Sequence, residues 1–250
     1  MKSFYPLYFS LKREIILTVL FCLSISSILA LKSDNSKECI IFLHGFGDVK
    51  YSMSWLENKC KDEGYNTVNI GYSHFGRDVE AISEKRLQKK VQKCVDTGYE
   101  RIHFVTHSMG GLIVRYYLQN NEIPKGSRIV MLSPPNHGSE VADSLKTNFF
   151  YKFFGGKVGK ELRTDSELIE KLRDVKYEIG VITGNKSYNK SFSKMIPGDD
   201  DGRVSTERAK LNEMKDFLVV NDSHLTIKYD KYVANQTIYF LQNGSFDWKR

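Results

Sequence analysis

The chain has 250 residues, 41% of them hydrophobic and 27% charged, which predicts one globular domain of the α/β size class. A core of that size needs neither disulfides nor a metal ion for stability. The net charge of +7 is spread along the chain without a clustered Lys/Arg stripe or a reader motif, which argues against nucleic-acid binding. The mild basic excess fits weak attraction to an anionic membrane surface equally well.

The first 31 residues differ from the rest of the chain. Lys2, Lys12 and Arg13 precede an apolar run over residues 15–31 that ends among small residues. This pattern is typical of a secretory signal peptide, although 17 residues are also at the short end of what spans a bilayer. Two alternatives therefore stay open: an uncleaved anchor with membrane association through residues 15–31, and a buried core helix. Both the signal peptide and the anchor predict that a domain over residues 32–250 is exported and is periplasmic or secreted.

From residue 38 onward, short apolar runs alternate with longer amphipathic ones. This alternation predicts a mostly parallel sheet with helices on both faces and no further domain boundary. The predicted strands cover residues 39–43, 67–72, 101–106, 128–133, 177–183 and 216–220. The predicted helices cover residues 53–63, 78–96, 109–120, 168–173 and 231–243.

Three cysteines remain once the first 31 residues are set aside: Cys39, Cys60 and Cys94. Their wide spacing is unlike that of metal ligands, and an odd number excludes complete internal pairing. Cys39 begins an apolar strand and is expected to be a buried small hydrophobe. Cys60 and Cys94 fall in successive helices that should flank opposite faces of the sheet, so a disulfide between them is possible but not favoured.

The sequence RIHFVTHSMGGLIVRYYL, residues 101–118, is the sharpest signal in the chain. An apolar strand ends at Thr106, Ser108 lies on the turn, and a helix begins at Met109. A nucleophile on such a tight turn needs small residues two positions before and after it. Gly110 meets this requirement, whereas Thr106 departs from it and must end the strand in ordinary β geometry. Helix capping would explain the Ser108 hydroxyl but not the glycines, so we expect Ser108 to be a nucleophile.

A serine hydroxyl needs a base that a third group orients. For a nucleophile on this kind of turn, the chain order is Ser, then Asp or Glu, then His. His224 follows acidic residues downstream of Ser108 and comes just after the last predicted strand, so we expect it to be the base.

The acid should lie in the loop PGDDDGRVS, which offers Asp199, Asp200 and Asp201. Asp201 is followed by a glycine and a short extended segment, which suits a carboxylate that turns back towards the histidine. Asp200 is its main competitor. The two remaining aspartates fit a solvated loop or a cation site.

A glycine-rich loop, His44-Gly45-Phe46-Gly47, follows the first predicted strand. An oxyanion needs two backbone N–H donors aimed in advance, which we expect from Phe46 and Met109. The glycines allow the backbone to come close. His44 is expected to anchor the loop and is a candidate substrate contact, while a plain glycine turn is the alternative.

Residues 140–175 follow the fourth predicted strand and are too long for a simple crossover. They contain an aromatic run over residues 149–154. The run either packs beneath a crossover helix or forms a lid or acyl-facing wall above the carboxyl ends of the strands. The second interpretation makes candidate substrate contacts of Phe149, Phe150, Phe153 and Phe154.

Five motifs occur in a familiar order: LHGFG, HFVTHSMGGLIVR, MLSPPNHGSEVAD, PGDDDGRVS and SHLTI. They resemble bacterial α/β-hydrolases of the lipase/esterase type and are similar to lipases related to GPI-inositol deacylases. The resemblance covers nearly all of residues 39–246 and implies an α/β-hydrolase fold with a minimal six-stranded sheet and a short lid-like insertion. It also implies PNHGSE as a structural loop beside the site. The implied triad and oxyanion donors are Ser108, Asp201 and His224, with Phe46 and Met109.

The resemblance implies a carboxylester hydrolase (lipase or esterase, EC 3.1.1-like) that forms an acyl-Ser108 intermediate and uses no cofactor or metal. The aromatic segment favours lipid-like acyl esters as substrates. The same triad serves acyltransferases and thioesterases, and the sequence does not separate these. A non-catalytic lipid- or ligand-binding protein on the same scaffold is the alternative from another class, and the filled catalytic positions argue against it. Oligomeric state stays open.

Overall fold

Six parallel strands form the centre of the computed structural model, which describes residues 34–249 except the side chains of residues 149–154. The strands are β1 (Glu38–Leu43), β2 (Asn66–Ile70), β3 (Arg101–His107), β4 (Arg128–Leu132), β5 (Glu178–Gly184) and β6 (Asp216–Val220). Their order across the sheet is β2-β1-β3-β4-β5-β6. The predicted six-stranded sheet is confirmed, and its strands differ from the predicted bounds by two residues at most.

Strand β1 shows why helices must cover both faces of the sheet. All of its residues are buried, and alternate side chains enter different cores. Cys39, Ile41 and Leu43 belong to one hydrophobic cluster, whereas Ile40 and Phe42 belong to another. A strand that buries both faces requires a helical layer on each side, as in parallel sheets generally.

The helices supply these two layers. A π-helical turn (Ser83–Leu87) joins α2 and α3. The α-helices are α1 (Ser54–Asp62), α2 (Val79–Ile82), α3 (Gln88–Asp96), α4 (Met109–Leu118), α5 (Glu140–Ser144), α6 (Phe149–Glu161), α7 (Glu167–Lys171), α8 (Lys190–Ser193), α9 (Thr206–Ala209) and α10 (Lys231–Asn243). Buried side chains of α1 and α10 share one cluster, and those of α2 to α7 share the other. The last helix has the bounds that its sequence pattern predicts.

The insertion predicted over residues 140–175 contains α5, α6 and α7. Helix α6 is kinked at Gly156, where φ is 54°. The side chains of Phe149, Phe150, Phe153 and Phe154 lie outside the described residues, so their contact with substrate stays a prediction.

The cysteine positions follow from the two layers. Cys60 packs in the cluster of α1 and α10, whereas Cys94 packs in the opposite cluster. The sheet separates these two residues, and all three cysteines of the described chain are free. Cys39 is buried as expected, and its Sγ lies 2.8 Å from Sγ of Cys94.

The signal peptide or anchor predicted for residues 1–31 lies outside the described residues and stays a prediction. From Asn35 onward, the chain forms one compact unit. Within residues 34–249, no helix is both long enough and apolar enough to cross a bilayer.

Replacing Phe240 with alanine should lower the free energy of unfolding by about 3–5 kcal/mol. Phe240 is fully buried in α10, and its ring lies 2.7 Å from where a Cβ on Gly180 would stand. Urea unfolding would measure the loss, with Tyr239→Ala on the same helix as control because Tyr239 is 37% exposed. Equal losses in the two variants would contradict the packing of α10 on β5.

Candidate active site

Ser108 lies on the turn between β3 and α4 in a strained backbone conformation. Its φ is 53° and its ψ is −125°, a combination that non-glycine residues seldom adopt. Two backbone hydrogen bonds hold it: Ser108 N donates to the Leu132 carbonyl at 2.8 Å, and Gly111 N donates to the Ser108 carbonyl at 2.9 Å. The turn thus presents the Ser108 side chain at the carboxyl ends of the strands.

The glycines after Ser108 are required by neighbouring atoms. A Cβ on Gly110 would lie 2.7 Å from the Leu43 carbonyl oxygen, closer than van der Waals contact permits. A Cβ on Gly111 would lie 3.2 Å from the Pro134 Cβ, which is tighter than ordinary van der Waals contact. Thr106 itself pairs within the sheet, opposite Leu43 and Met131, so the strand accommodates the residue that departs from the small-residue pattern.

Asp201 and His224 form a buried hydrogen-bonded pair. His224 Nδ1 lies 2.8 Å from Asp201 Oδ2, and the His224 N–H donates to the Asp201 carbonyl at 2.9 Å. The other carboxylate oxygen accepts the N–H groups of Arg203 and Val204, each at 2.9 Å. Because a carboxylate only accepts, Nδ1 carries the proton and Nε2 is the nitrogen that can take one.

The pKa of the Asp201 carboxyl reflects this setting. Burial would raise it, but the His224 imidazole, the Ser133 hydroxyl and the Val204 N–H hold it below its ordinary value. Asp201 is therefore a carboxylate at neutral pH.

Asp200 has a different role from Asp201. Its Oδ1 accepts hydrogen bonds from the Ser193 hydroxyl at 2.9 Å and from the Gly202 N–H at 2.6 Å. It thus shapes the loop and does not contact His224. Among residues 34–249, no group of three or more His, Cys, Asp or Glu side chains is arranged to hold a metal ion.

Ser108 and His224 line one cavity of about 370 Å³. Val141, Ala142 and Leu162 of the insertion supply part of its apolar wall. The hydrogen bonds of the described residues do not include one between the Ser108 hydroxyl and His224. Such bonds are often long or misaligned without substrate. A larger cavity, about 770 Å³, is lined mostly by charged side chains of α2, α6 and α7 and of the residues next to these helices, and it contains none of the predicted site residues.

The glycine-rich loop lies against the turn. A Cβ on Gly45 would stand 3.0 Å from the Ser108 Cβ, so only glycine permits this approach. Phe46 lines the cavity. Met109 is the first residue of α4, and its N–H therefore has no acceptor within the helix.

His44 is the first residue of this loop and does not line the cavity. Its ring stacks on Tyr72 with centroids 4.0 Å apart, and its Nε2 accepts the Tyr72 N–H at 3.4 Å. Burial lowers the pKa of the His44 imidazole. The predicted anchoring role fits this geometry, whereas the predicted substrate contact does not.

Two residues of the site were missed by sequence reasoning. His107 donates from Nε2 to the His224 carbonyl at 2.7 Å, and burial lowers its pKa well below the ordinary value, with nearby His224, Lys228 and Arg203 adding to the effect. Lys228 is buried and forms an ion pair with Asp48, just after the glycine-rich loop. The sequence signals were that His107 directly precedes Ser108 and that Lys228 follows His224 by four positions.

The segment PNHGSE packs beside the site as a structural loop. Arg115 donates to the Asn136 carbonyl at 3.0 Å, and the Asn136 amide donates to the Ala209 carbonyl at 2.8 Å. Gly138 has no space for a side chain, since a Cβ would lie 2.5 Å from Cα of Thr164.

Comparisons with known proteins agree with this fold. No family model matches the chain. It is 27% identical over 218 residues to protein SERAC1 of Bos taurus, covering 76% of this chain and 32% of that protein. The mature lipase BlEst2 of Bacillus licheniformis has a TM-score of 0.67 at 19% identity, covering 84% of this chain and 93% of that one. Phospholipase PlaB of Legionella pneumophila has a TM-score of 0.55 at 22% identity, covering 69% and 45%.

The chain therefore has the α/β-hydrolase fold, as the sequence predicts, and its structural neighbours are bacterial lipases and esterases of this type. It spans about a third of the length of the bovine protein it matches. Identities at this level define the fold, whereas activity depends on the residues of the site.

Asp201→Asn should flatten the acid dependence of stability. The pKa of Asp201 lies below its ordinary value in the folded protein, so the unfolded chain binds the proton more readily. The stabilisation is complete above about pH 5 and is lost as the pH falls through the pKa of the folded protein. Urea unfolding between about pH 7 and about pH 3 would measure it. Asp199→Asn is the control, because Asp199 is exposed and this variant should keep the wild-type slope of unfolding free energy against pH. The same wild-type slope in Asp201→Asn would rule out the expected linkage.

Proposed function

We propose that the protein is a serine hydrolase that cleaves carboxylic esters through an acyl-Ser108 intermediate. The observation that carries the proposal is the strained Ser108 turn, which shares one cavity with His224, the hydrogen-bond partner of buried Asp201. Strained backbone at a polar residue is a feature of functional sites, because packing and hydrogen bonds elsewhere must offset its cost of about 1–3 kcal/mol. Lipase, esterase and phospholipase neighbours of the same fold support this proposal.

In the first step, Ser108 Oγ attacks the ester carbonyl carbon while His224 Nε2 takes the hydroxyl proton. Asp201 holds the imidazole through Nδ1 and stabilises the imidazolium that forms. The N–H groups of Phe46 and Met109 stabilise the oxyanion of the tetrahedral intermediate. When this intermediate collapses, the bond to the alcohol oxygen breaks, and His224 returns its proton to that oxygen.

Water completes the cycle. His224, again neutral, takes a proton from water, whose oxygen attacks the acyl carbon. The second tetrahedral intermediate releases the carboxylic acid and restores the Ser108 hydroxyl. Neutral His107 donates to the His224 carbonyl and thus positions the base without adding a positive charge beside it.

The acyl group should contact the wall formed by the insertion. Val141, Ala142, Leu145 and Leu162 line the cavity on this wall. A cavity of about 370 Å³ lies at the lower end of the size range for small-molecule sites. Acyl esters of short or medium length therefore fit the described cavity best.

Ser108→Ala should reduce kcat for aryl esters by about four orders of magnitude or more, because the nucleophile is lost. Hydrolysis of aryl esters of increasing acyl length would be measured on the full chain. Ser191→Ala is a suitable control, because Ser191 is exposed and does not line the cavity. Equal rates in wild type and Ser108→Ala would refute the serine hydrolase.

Asp201→Asn should reduce kcat by about 10⁴-fold, since the amide no longer enforces the required tautomer of His224. Asp200→Asn is the matched comparison, because its remaining Oδ1 still accepts from the Ser193 hydroxyl and the Gly202 N–H. Its kcat should stay within a few-fold of wild type. The reverse order of the two losses would reassign the acid to Asp200.

A further inference from the structure

The two sides of the active-site cavity differ in chemistry. The insertion contributes an apolar wall, as described above. Arg203 and Lys228 line the same cavity from the loops that follow β5 and β6. An ester bound with its acyl chain on the apolar wall would direct its alcohol portion towards these cations.

Among the described residues, only one of these two cations has an ion-pair partner. Lys228 is 3% exposed and pairs with Asp48, so its charge is neutralised within the protein. Arg203 is exposed, and its guanidinium makes no hydrogen bond or ion pair with any residue that the structure describes. The cavity therefore carries one uncompensated positive charge.

The backbone of Arg203 is held on both sides. Its N–H donates to Asp201 Oδ1 at 2.9 Å, and its carbonyl accepts from the Ser139 hydroxyl at 2.6 Å. The positive charge of Arg203 also acts on the nucleophile turn: it helps to lower the pKa of His107, the residue before Ser108. The side chain also lines an adjoining recess of about 120 Å³ beside Phe192 and Ser223.

We propose that Arg203 binds an anionic group on the alcohol side of the substrate, so that the preferred substrates are acyl esters carrying a phosphate or carboxylate near the scissile bond. A guanidinium presents parallel N–H donors that match either anion in a bidentate geometry. This inference rests on the proposed ester hydrolysis and names the class of ester.

The test compares soluble hexanoyl esters that differ only at the carbon farthest from the ester: hexanoylglycerol, hexanoylglycerol phosphate and the 3-hexanoyl ester of glycerate. The measured quantity is the ratio of kcat/KM for each anionic ester to that for neutral hexanoylglycerol. Wild type should favour at least one anionic ester by about 10- to 100-fold, the amount expected for hydrogen bonds to a charged group. The preference should reside mainly in KM and weaken with added salt.

Arg203→Gln should abolish this preference, and Arg203→Lys should restore part of it because the charge returns without the bidentate geometry. Lys125→Gln is the control, since this exposed cation precedes β4 at the opposite end of the sheet. A ratio near one in wild type, or a ratio that survives in Arg203→Gln, overturns the inference while leaving the hydrolase intact. Equal losses in Arg203→Gln and Lys125→Gln would also overturn it, because net charge alone would then explain the preference. Failure of wild type to cleave any ester would instead overturn the proposed function itself.

Discussion

The close approach of α4 to the end of β1 is the contact on which the rest of the site depends. Gly110 lies where a Cβ would stand 2.7 Å from the Leu43 carbonyl oxygen, so any side chain would push the helix away from the strand. This approach lets β3 turn directly into α4 and forces Ser108 into its strained conformation. It also brings the loop after β1 against the turn, with Gly45 next to the Ser108 Cβ. One steric requirement thus positions both the nucleophile and the proposed oxyanion donors.

Buried hydrogen bonds then join two separate loops, those after β5 and β6, to this turn. His107 binds the His224 carbonyl, His224 binds Asp201, and Asp201 accepts the Val204 N–H. Burial keeps His107 neutral. The groups in this series of hydrogen bonds therefore include one carboxylate and no cation. A protonated His107 would lie next to the developing imidazolium and oppose it. The environment that makes His107 neutral is therefore part of what would allow His224 to act as a base.

Local patterns were sufficient to predict the sheet and the nucleophile turn. Strand β3 is apolar, its turn carries small residues, and α4 begins at once, so consecutive residues contain the whole signal. The contacts that were missed join distant positions: Lys228 pairs with Asp48 across 180 positions, and His107 binds His224 across 117. The neighbour of Cys94 was likewise unforeseen, because Cys39 meets it only when β1 and α3 pack together. Asp201 and Asp200 differ in which way each side chain points, which a run of three aspartates does not encode.

The apolar cavity wall formed by the insertion is distinct from the loops that carry the proposed triad. Hydrogen bonds within the insertion join α5 to the segment after α6: the Thr164 N–H and hydroxyl both donate to Asp143, at 3.0 Å and 2.7 Å. It meets the loop of the acid through Ser139 and the Arg203 carbonyl. Among the described residues, the side-chain hydrogen bonds of Asp201 and His224 involve no side chain of α5 or α6. Changes at Val141 and Ala142 should therefore alter which group fits the cavity without removing a hydrogen bond of the proposed triad. A change at Ser139 would disturb both, since it links the insertion to the loop that carries Asp201.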